Sequence, residues 1–398
     1  MAKSNKHKWS FPAKFRKGAY SWKGTAKASR NLRAAVSEIK KVAKWDPEIA
    51  AEGATRLLEK LVPSIERIDG SSGAIGGAVN KAVEALAAVV AGGAGTSKHE
   101  QRVERVFEAL QDDGYGYLDH LGDHFGEICG DKELARDWGL RLSPIVRACF
   151  TQGGYFSGTS ACLSSLAKAG CFEEVEQLLQ LRSFDFWPYD KYRLQGLVEQ
   201  GKIDEAIQGA EKLLASSSYQ NATLNFVEDL LIEAGRAEEA FDRYGPRMRS
   251  NTYLASFRAT AKKYPDLQPE FILKEYLRRF SGEEGKWFAT ARSLGLNQLA
   301  LELAKRGPCN PKTILTGAES LAESEPDIAF EMAFQAVNGY VLGWGYEVMG
   351  SDIVKACSLA RRLVRTERQR ERLKEYLETR RRYAPKAFET RFLEHLSD

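Results

Sequence analysis

The chain has 398 residues, 43% of them hydrophobic and 10% aromatic, with 58 Lys/Arg against 54 Asp/Glu and a formal charge of +4. That apolar content supplies a core and excludes global disorder. The six cysteines, at positions 129, 149, 162, 171, 309 and 357, include no Cys-x-x-Cys pair, which excludes a disulfide framework and a zinc ribbon and points to a reduced, cytoplasmic setting.

In chain order, residues 1–25 show no apolar period. Lys and aromatic residues interleave with Pro12, Gly18 and Gly24, which predicts an irregular arm. A first helix then places Leu32, Val36, Ile39 and Ala43 on one stripe, with Arg30, Arg33, Lys40 and Lys44 on its other faces. Asp46-Pro47 is an N-cap acceptor followed by Pro at the first helical position. It predicts a second helix to about Ile68, kinked or broken at Pro63. Asp69 to Gly77 reads as a turn and the next residues as a helix through Ala91. Gly92 to Lys98 reads as a flexible linker and the best domain boundary. No stretch reaches the roughly 20 apolar residues of a membrane span, since the most apolar run, Ala82 to Ala91, contains Glu84 and stops at Gly92.

From residue 99 the chain reads as helix pairs, with no sustained alternation at period two. A short phrase recurs: a Gly ends one helix, a polar pair follows, and a small apolar residue sits five positions on. It runs Gly170 to Val175, Gly201 to Ala206, Gly235 to Ala240 and Gly295 to Ala300, and Pro265 and Pro326 fall at the missing steps of the same ladder. A period near 34 is the signature of stacked helical hairpins. The stretches Leu163 to Leu179 and Leu194 to Ala206 resemble tetratricopeptide-like repeats. That resemblance covers about 155–340 and implies a binding surface, not a catalyst. The chain as a whole is similar to uncharacterised bacterial proteins, through stretches such as Ser71 to Gly76 and Gly282 to Phe288, a likeness that implies no activity.

The expected fold is therefore all-α, a right-handed α-α solenoid of tetratricopeptide-like hairpins preceded by a small basic helical domain. The expected segments are a basic aromatic arm at 1–25, a helical domain at 26–91, the repeat array at 99–355 and a basic capping region at 356–398. The last is read as one long helix at about 353–382, with Leu359, Leu363, Leu373 and Leu377 as its apolar stripe. Charge divides unevenly along this plan. Residues 1–44 hold 13 Lys/Arg and one acid, Glu38, and residues 356–398 carry +5, so the body between them is −13. Uneven charge of this size is an argument about partners.

Three functional readings follow. The first is a non-enzymatic scaffold or adaptor that holds a peptide or partner protein, with no cofactor. Its candidate anchors are Trp187, Tyr189, Trp287, Trp344 and Tyr346, flanked by Arg249, Lys262 and Lys286, since Trp, Tyr and Arg dominate binding energy at interfaces. The bland alternative for these aromatics is packing. The second is nucleic-acid association through the arm. Lys8, Lys14, Arg16, Lys17, Lys23, Arg30 and Arg33 would track phosphates and Trp9 and Trp22 would stack on bases; the alternative is that the arm's aromatics dock on the chain's own body. The third is a metal-dependent hydrolase, with His120 and His124 one helical turn apart beside Asp123 and Glu127. The order lacks the Glu next to the first His that helical zinc peptidases show, and the alternative is a polar helix end. No membrane partner is expected.

Overall fold

Every regular element among the described residues is helical. A computed structural model describes residues 7–216 and 219–383. Among the described residues it holds 21 α-helices, one 3-10 turn and no strand, as the all-α reading expects. Two compact units divide the chain, residues 1–227 and 228–398.

The first unit opens with α1 (Thr25–Ala43), α2 (Pro47–Ile65) and α3 (Ala74–Ala91), which pack mutually. The Asp46 carboxylate caps α2 by accepting from Ile49 N at 2.9 Å. Pro63 does not break α2, which runs two residues further; Gly18 N–H takes the Pro63 carbonyl at 2.8 Å. By length and composition alone α3 is a helix that could cross a bilayer, with a mean hydropathy of 1.4. Its Ile75, Val79, Val83, Leu86 and Val90 are buried, and the helix packs on α1 and α2.

The next helices continue the same core. α4 (His99–Gln111) packs on α2, and α5 (Asp119–Asp123) and α6 (Phe125–Ile128) pack on α3. Then come α7 (Lys132–Gln152), α8 (Thr159–Ala169), α9 (Phe172–Leu179), α10 (Trp187–Glu199) and α11 (Ile203–Ser216). One apolar cluster runs unbroken from Phe11 to Tyr192, so residues 92–98 do not separate two cores. Polar staples fix them instead. Buried Arg102 donates to the Gly93 carbonyl at 3.1 Å and to the Thr96 hydroxyl, while the His99 ring bonds to the Cys129 carbonyl at 2.9 Å.

The recurrent glycine phrase is one turn built four times. Gly170, Gly201, Gly235 and Gly295 sit at φ +74 to +78°, a left-handed conformation that only Gly adopts cheaply. In each turn the next N–H reaches back to the carbonyl five residues before it: Cys171 to Leu166, Lys202 to Leu197, Arg236 to Leu231 and Leu296 to Ala291, at 2.8 to 3.0 Å. The small residues of the phrase, Val175, Ala206, Ala240 and Ala300, are all 0% exposed. These glycines join α8 to α9, α10 to α11, α12 (Gln220–Glu233) to α13 (Ala237–Tyr244), and α16 (Phe288–Ser293) to α17 (Asn297–Arg306). Pro265 lies between α14 (Tyr253–Lys263) and α15 (Pro269–Arg279), and Pro326 opens α19 (Pro326–Val341) after α18 (Pro311–Leu321).

The C-terminal helix expected at 353–382 is two helices, α20 (Gly350–Arg362) and α21 (Glu367–Tyr383). Thr366 and Gln369 make the break: Gln369 N donates to the Thr366 hydroxyl at 3.2 Å, and the Gln369 side-chain Oε1 accepts from Thr366 N at 3.2 Å. This is a capping box. The expected leucine stripe is buried across both helices. The rest of the capping region, 384–398, lies outside the described residues.

Candidate partner-binding groove

The arm turns its aromatics inward and its cations outward. Phe11, Phe15 and Tyr20 are 1 to 3% exposed and belong to the core. Half-buried Trp9 lies over Gly53, where an added Cβ would fall 2.2 Å from its ring. Glu38, the one acid of the first 44 residues, fastens this arrangement. It accepts from Ser10 N at 3.0 Å and from the Ser10 hydroxyl at 2.6 Å, and it meets the His7 ring at 3.3 Å. Burial alone would raise the Glu38 carboxyl, but the Ser10 and His7 hydrogen bonds hold it below its usual range. Lys8, Lys14, Arg16, Lys17 and Lys23 are exposed, as are Arg30 and Arg33 on α1. Of the two aromatics expected to stack on bases, Trp22 is 64% exposed and Trp9 is committed to α2.

Beside this face α1 and α3 form a groove of about 500 Å³. Its floor is Leu32, Val36, Ala78 and Ala82, and its rim is Arg33, Lys40, Lys41, Lys44 and Lys81. Small side chains at Ala78 and Ala82 leave the space open, one helical turn apart on α3. No acid lines it. Among the described residues none of the five rim cations forms an ion pair, and all five are exposed. Sequence reasoning found Arg33 but missed Lys81 and the alanine wall. The only sequence signal for them is the single Lys within an Ala-rich apolar helix.

Other expected sites are otherwise engaged. Trp187 is 7% exposed and Trp287 0%, so these two expected anchors are core residues, a correction that follows from simple burial. Tyr189 and Trp344 are half-buried. Tyr346 is 78% exposed, in a turn with exposed Leu342, Val348 and Met349. Lys262 is exposed, and Lys286 pairs with Glu283 at 2.9 Å. Arg249 is not a surface cation; it serves buried Glu228. That carboxylate, 0% exposed, accepts from Arg249 Nη1 at 2.7 Å, Arg247 Nη2 at 2.9 Å, Lys263 Nζ at 2.9 Å and Tyr264 Oη at 2.7 Å. Burial would raise Glu228, but Arg249, Tyr264 and Lys263 together hold it below its usual range.

His120 and His124 do stand together, their Nε2 atoms 3.3 Å apart. Their Nδ1 atoms face separate carboxylates, Asp123 at 3.3 Å and Glu127 at 3.5 Å. Asp123 is also held by Lys191 at 2.7 Å and the Tyr192 hydroxyl at 2.8 Å. Against the effect of burial, His120 and Lys191 bring its carboxyl down to about 2. The four donors do not point at one centre, and among the described residues no group of three or more His, Cys, Asp or Glu is arranged to hold a metal ion. Burial pushes the thiols of Cys129, Cys162 and Cys309 up to about 12, which makes them poor nucleophiles. A second cleft, of about 550 Å³, is lined by Arg182, Asp185, Asp190 and Arg193. There Asp190 binds Arg182 at 2.7 Å and caps the Phe186 N–H at 2.7 Å, so these two charges already serve the 180–186 turn.

Residues 15–137 match a family of unknown function, DUF6880. That span includes α1 to α6 and every residue of the groove. No curated protein and no solved structure matches the chain.

Proposed function

We propose that the protein is a non-enzymatic scaffold that receives an acidic partner protein on the groove between α1 and α3. The observation that carries this reading is a rim of five exposed cations, with no ion pair among the described residues, around an apolar floor. Cations alone serve any polyanion. A floor of Leu32, Val36, Ala78 and Ala82 rewards only a ligand that brings apolar side chains of its own, as a protein does. The resemblance of the later hairpins to tetratricopeptide-like repeats supports the scaffold role, because such arrays present surfaces for other chains.

A second reading, nucleic-acid association, keeps one observation in its favour: the exposed run of Lys8, Lys14, Arg16, Lys17 and Lys23. Its weakness is stacking, since Phe11, Phe15 and Tyr20 face inward.

Fluorescence anisotropy with labelled poly-L-glutamate and with a random-sequence duplex DNA separates the two. The scaffold reading expects poly-L-glutamate to bind and the Lys40→Glu/Lys41→Glu variant to lose about tenfold or more, the equivalent of about 1.4 kcal/mol. Tighter binding to the duplex, with a steep loss in salt and no effect of the double reversal on poly-L-glutamate, would sink it.

A further inference from the structure

We infer that the groove is built for a short acidic amphipathic helix lying antiparallel to α1; this rests on the partner-binding reading above and specifies its ligand. The groove runs along α1 from Leu32 to Lys44, twelve residues or about 18 Å at 1.5 Å per residue. A helix of about three to four turns covers that length. The wall residues on α1 are Leu32, Arg33, Val36, Ser37, Lys40, Lys41 and Lys44, which recur every three to four residues along one side of the helix. A straight partner helix meets such a face with apolar side chains at i, i+3 or i+4, and i+7. Opposite, Ala78 and Ala82 have side chains too small to fill the space, so larger aliphatic groups enter over them.

The charges give the direction. On α1, Lys40, Lys41 and Lys44 stand in the last turn or just beyond it, whereas Arg33 is the one rim cation of that helix toward its other end. The ligand's acids therefore gather over the C-terminal end of α1. Acidic residues are favoured in the first turn of a helix, where the macrodipole is positive. A ligand helix that satisfies both conditions has its N-terminus over Lys44 and its C-terminus toward Leu32. The alternatives that share the chemistry in part, an extended acidic chain or a nucleic acid, use the rim and leave the floor wet.

Four synthetic probes test this on the full chain by anisotropy and circular dichroism. The first is a peptide of about 14 residues with Leu at helical spacing and Glu in its first two turns. The second has the same composition with Glu in the last two turns. The third is a scramble that keeps the charge and breaks the apolar period. The fourth is poly-L-glutamate. The expected result is that the first peptide binds about tenfold tighter than the scramble, gains helical signal on binding, and exceeds the second by several-fold. Lys81→Glu should weaken it, and Ala78→Trp, which fills the half-buried floor, should remove its advantage over the scramble. Equal binding of the first and third peptides overturns the helix inference while leaving the acidic-partner reading standing. A preference for the second peptide overturns the orientation. No binding by any peptide or by poly-L-glutamate overturns both readings at once.

Discussion

Replacing Glu228 with Gln tests how much one carboxylate carries in the second unit. The side chain is 0% exposed and faces Arg247, Arg249 and Lys263, with Tyr264 as a fourth donor. Gln keeps the shape. It removes the charge and turns an amide NH2 toward donors that need an acceptor. Removing one partner of a buried ion pair costs about 3–5 kcal/mol, because the remaining charges stay buried without compensation. With a urea slope of about 2 kcal/mol/M for a small domain, the midpoint of the transition that reports residues 228–383 should fall by about 1.5–2.5 M. Tyr264→Phe removes only one bond to the charged group and should cost about 1.5–3 kcal/mol. A shift under about 0.5 M for Glu228→Gln would refute the argument.

The same carboxylate fixes the sign of a pH effect. Its folded pKa lies below its ordinary value, so its contribution is fully present above the unfolded value, near 4.3. It is lost as pH falls through the folded value. The stability gap between the parent chain and Glu228→Gln should hold from pH 7 to about pH 5 and close as the solution is acidified further, measured by urea titration at each pH.

Three further changes are diagnostic. Gly53→Ala places a methyl 2.2 Å from the Trp9 ring; it should cost about 1–3 kcal/mol by overpacking, shift tryptophan emission, and expose Lys8, Lys14 and Arg16 to trypsin. Unchanged emission and cleavage would mean that the arm is not seated there. Gly235→Ala meets no atom within 4 Å but keeps φ near +75°, so it should cost about 1–2 kcal/mol from backbone conformation alone; Gly170→Ala should cost the same in the transition of its own unit, and a negligible cost at either position would break the shared-turn reading. Asp190→Ala leaves buried Arg182 without its carboxylate, with Nε and Nη1 already unpartnered. Proteolysis should then move to the 180–186 turn, and an unchanged cleavage map would show that Asp190 does not hold it.

The hairpins were legible because their signal is local. A left-handed turn needs Gly at one position, close packing needs a small residue five positions on, and both lie within six residues of sequence. The Glu228 hub left no such trace. Its five members span Glu228 to Tyr264 and meet only after α12, α14 and the 245–250 segment are in place. The groove was half legible. The α1 cations show as charge, but the α3 wall is defined by what Ala78 and Ala82 lack. Residues 92–98 misled because composition reports chain flexibility, whereas Arg102 arrives from the following helix and binds Gly93 and Thr96. The break at Thr366 carried a readable Thr-x-x-Gln signature, outweighed by the continuous leucine period on both sides.

Three acids of α1 and α2 are engaged elsewhere and leave the basic face open. Glu38 is occupied by Ser10 and His7. Glu52 and Glu59 of α2 turn to Arg105 of α4, at 2.9 and 2.7 Å. The effect on the arm is geometric as well as electrical. With Ser10 fixed to Glu38 and the 18–20 segment bonded to the carbonyls of Pro63 and Ser64, Phe11, Phe15 and Tyr20 can turn only into the core, and the lysines between them turn out. Like charges gathered this way repel one another and oppose folding. An arm that existed only to solubilise the chain would gain nothing from being pinned by the single acid of α1. A pinned arm beside an apolar groove presents a positive field of fixed shape, and a binding surface needs that field to be present before its partner arrives.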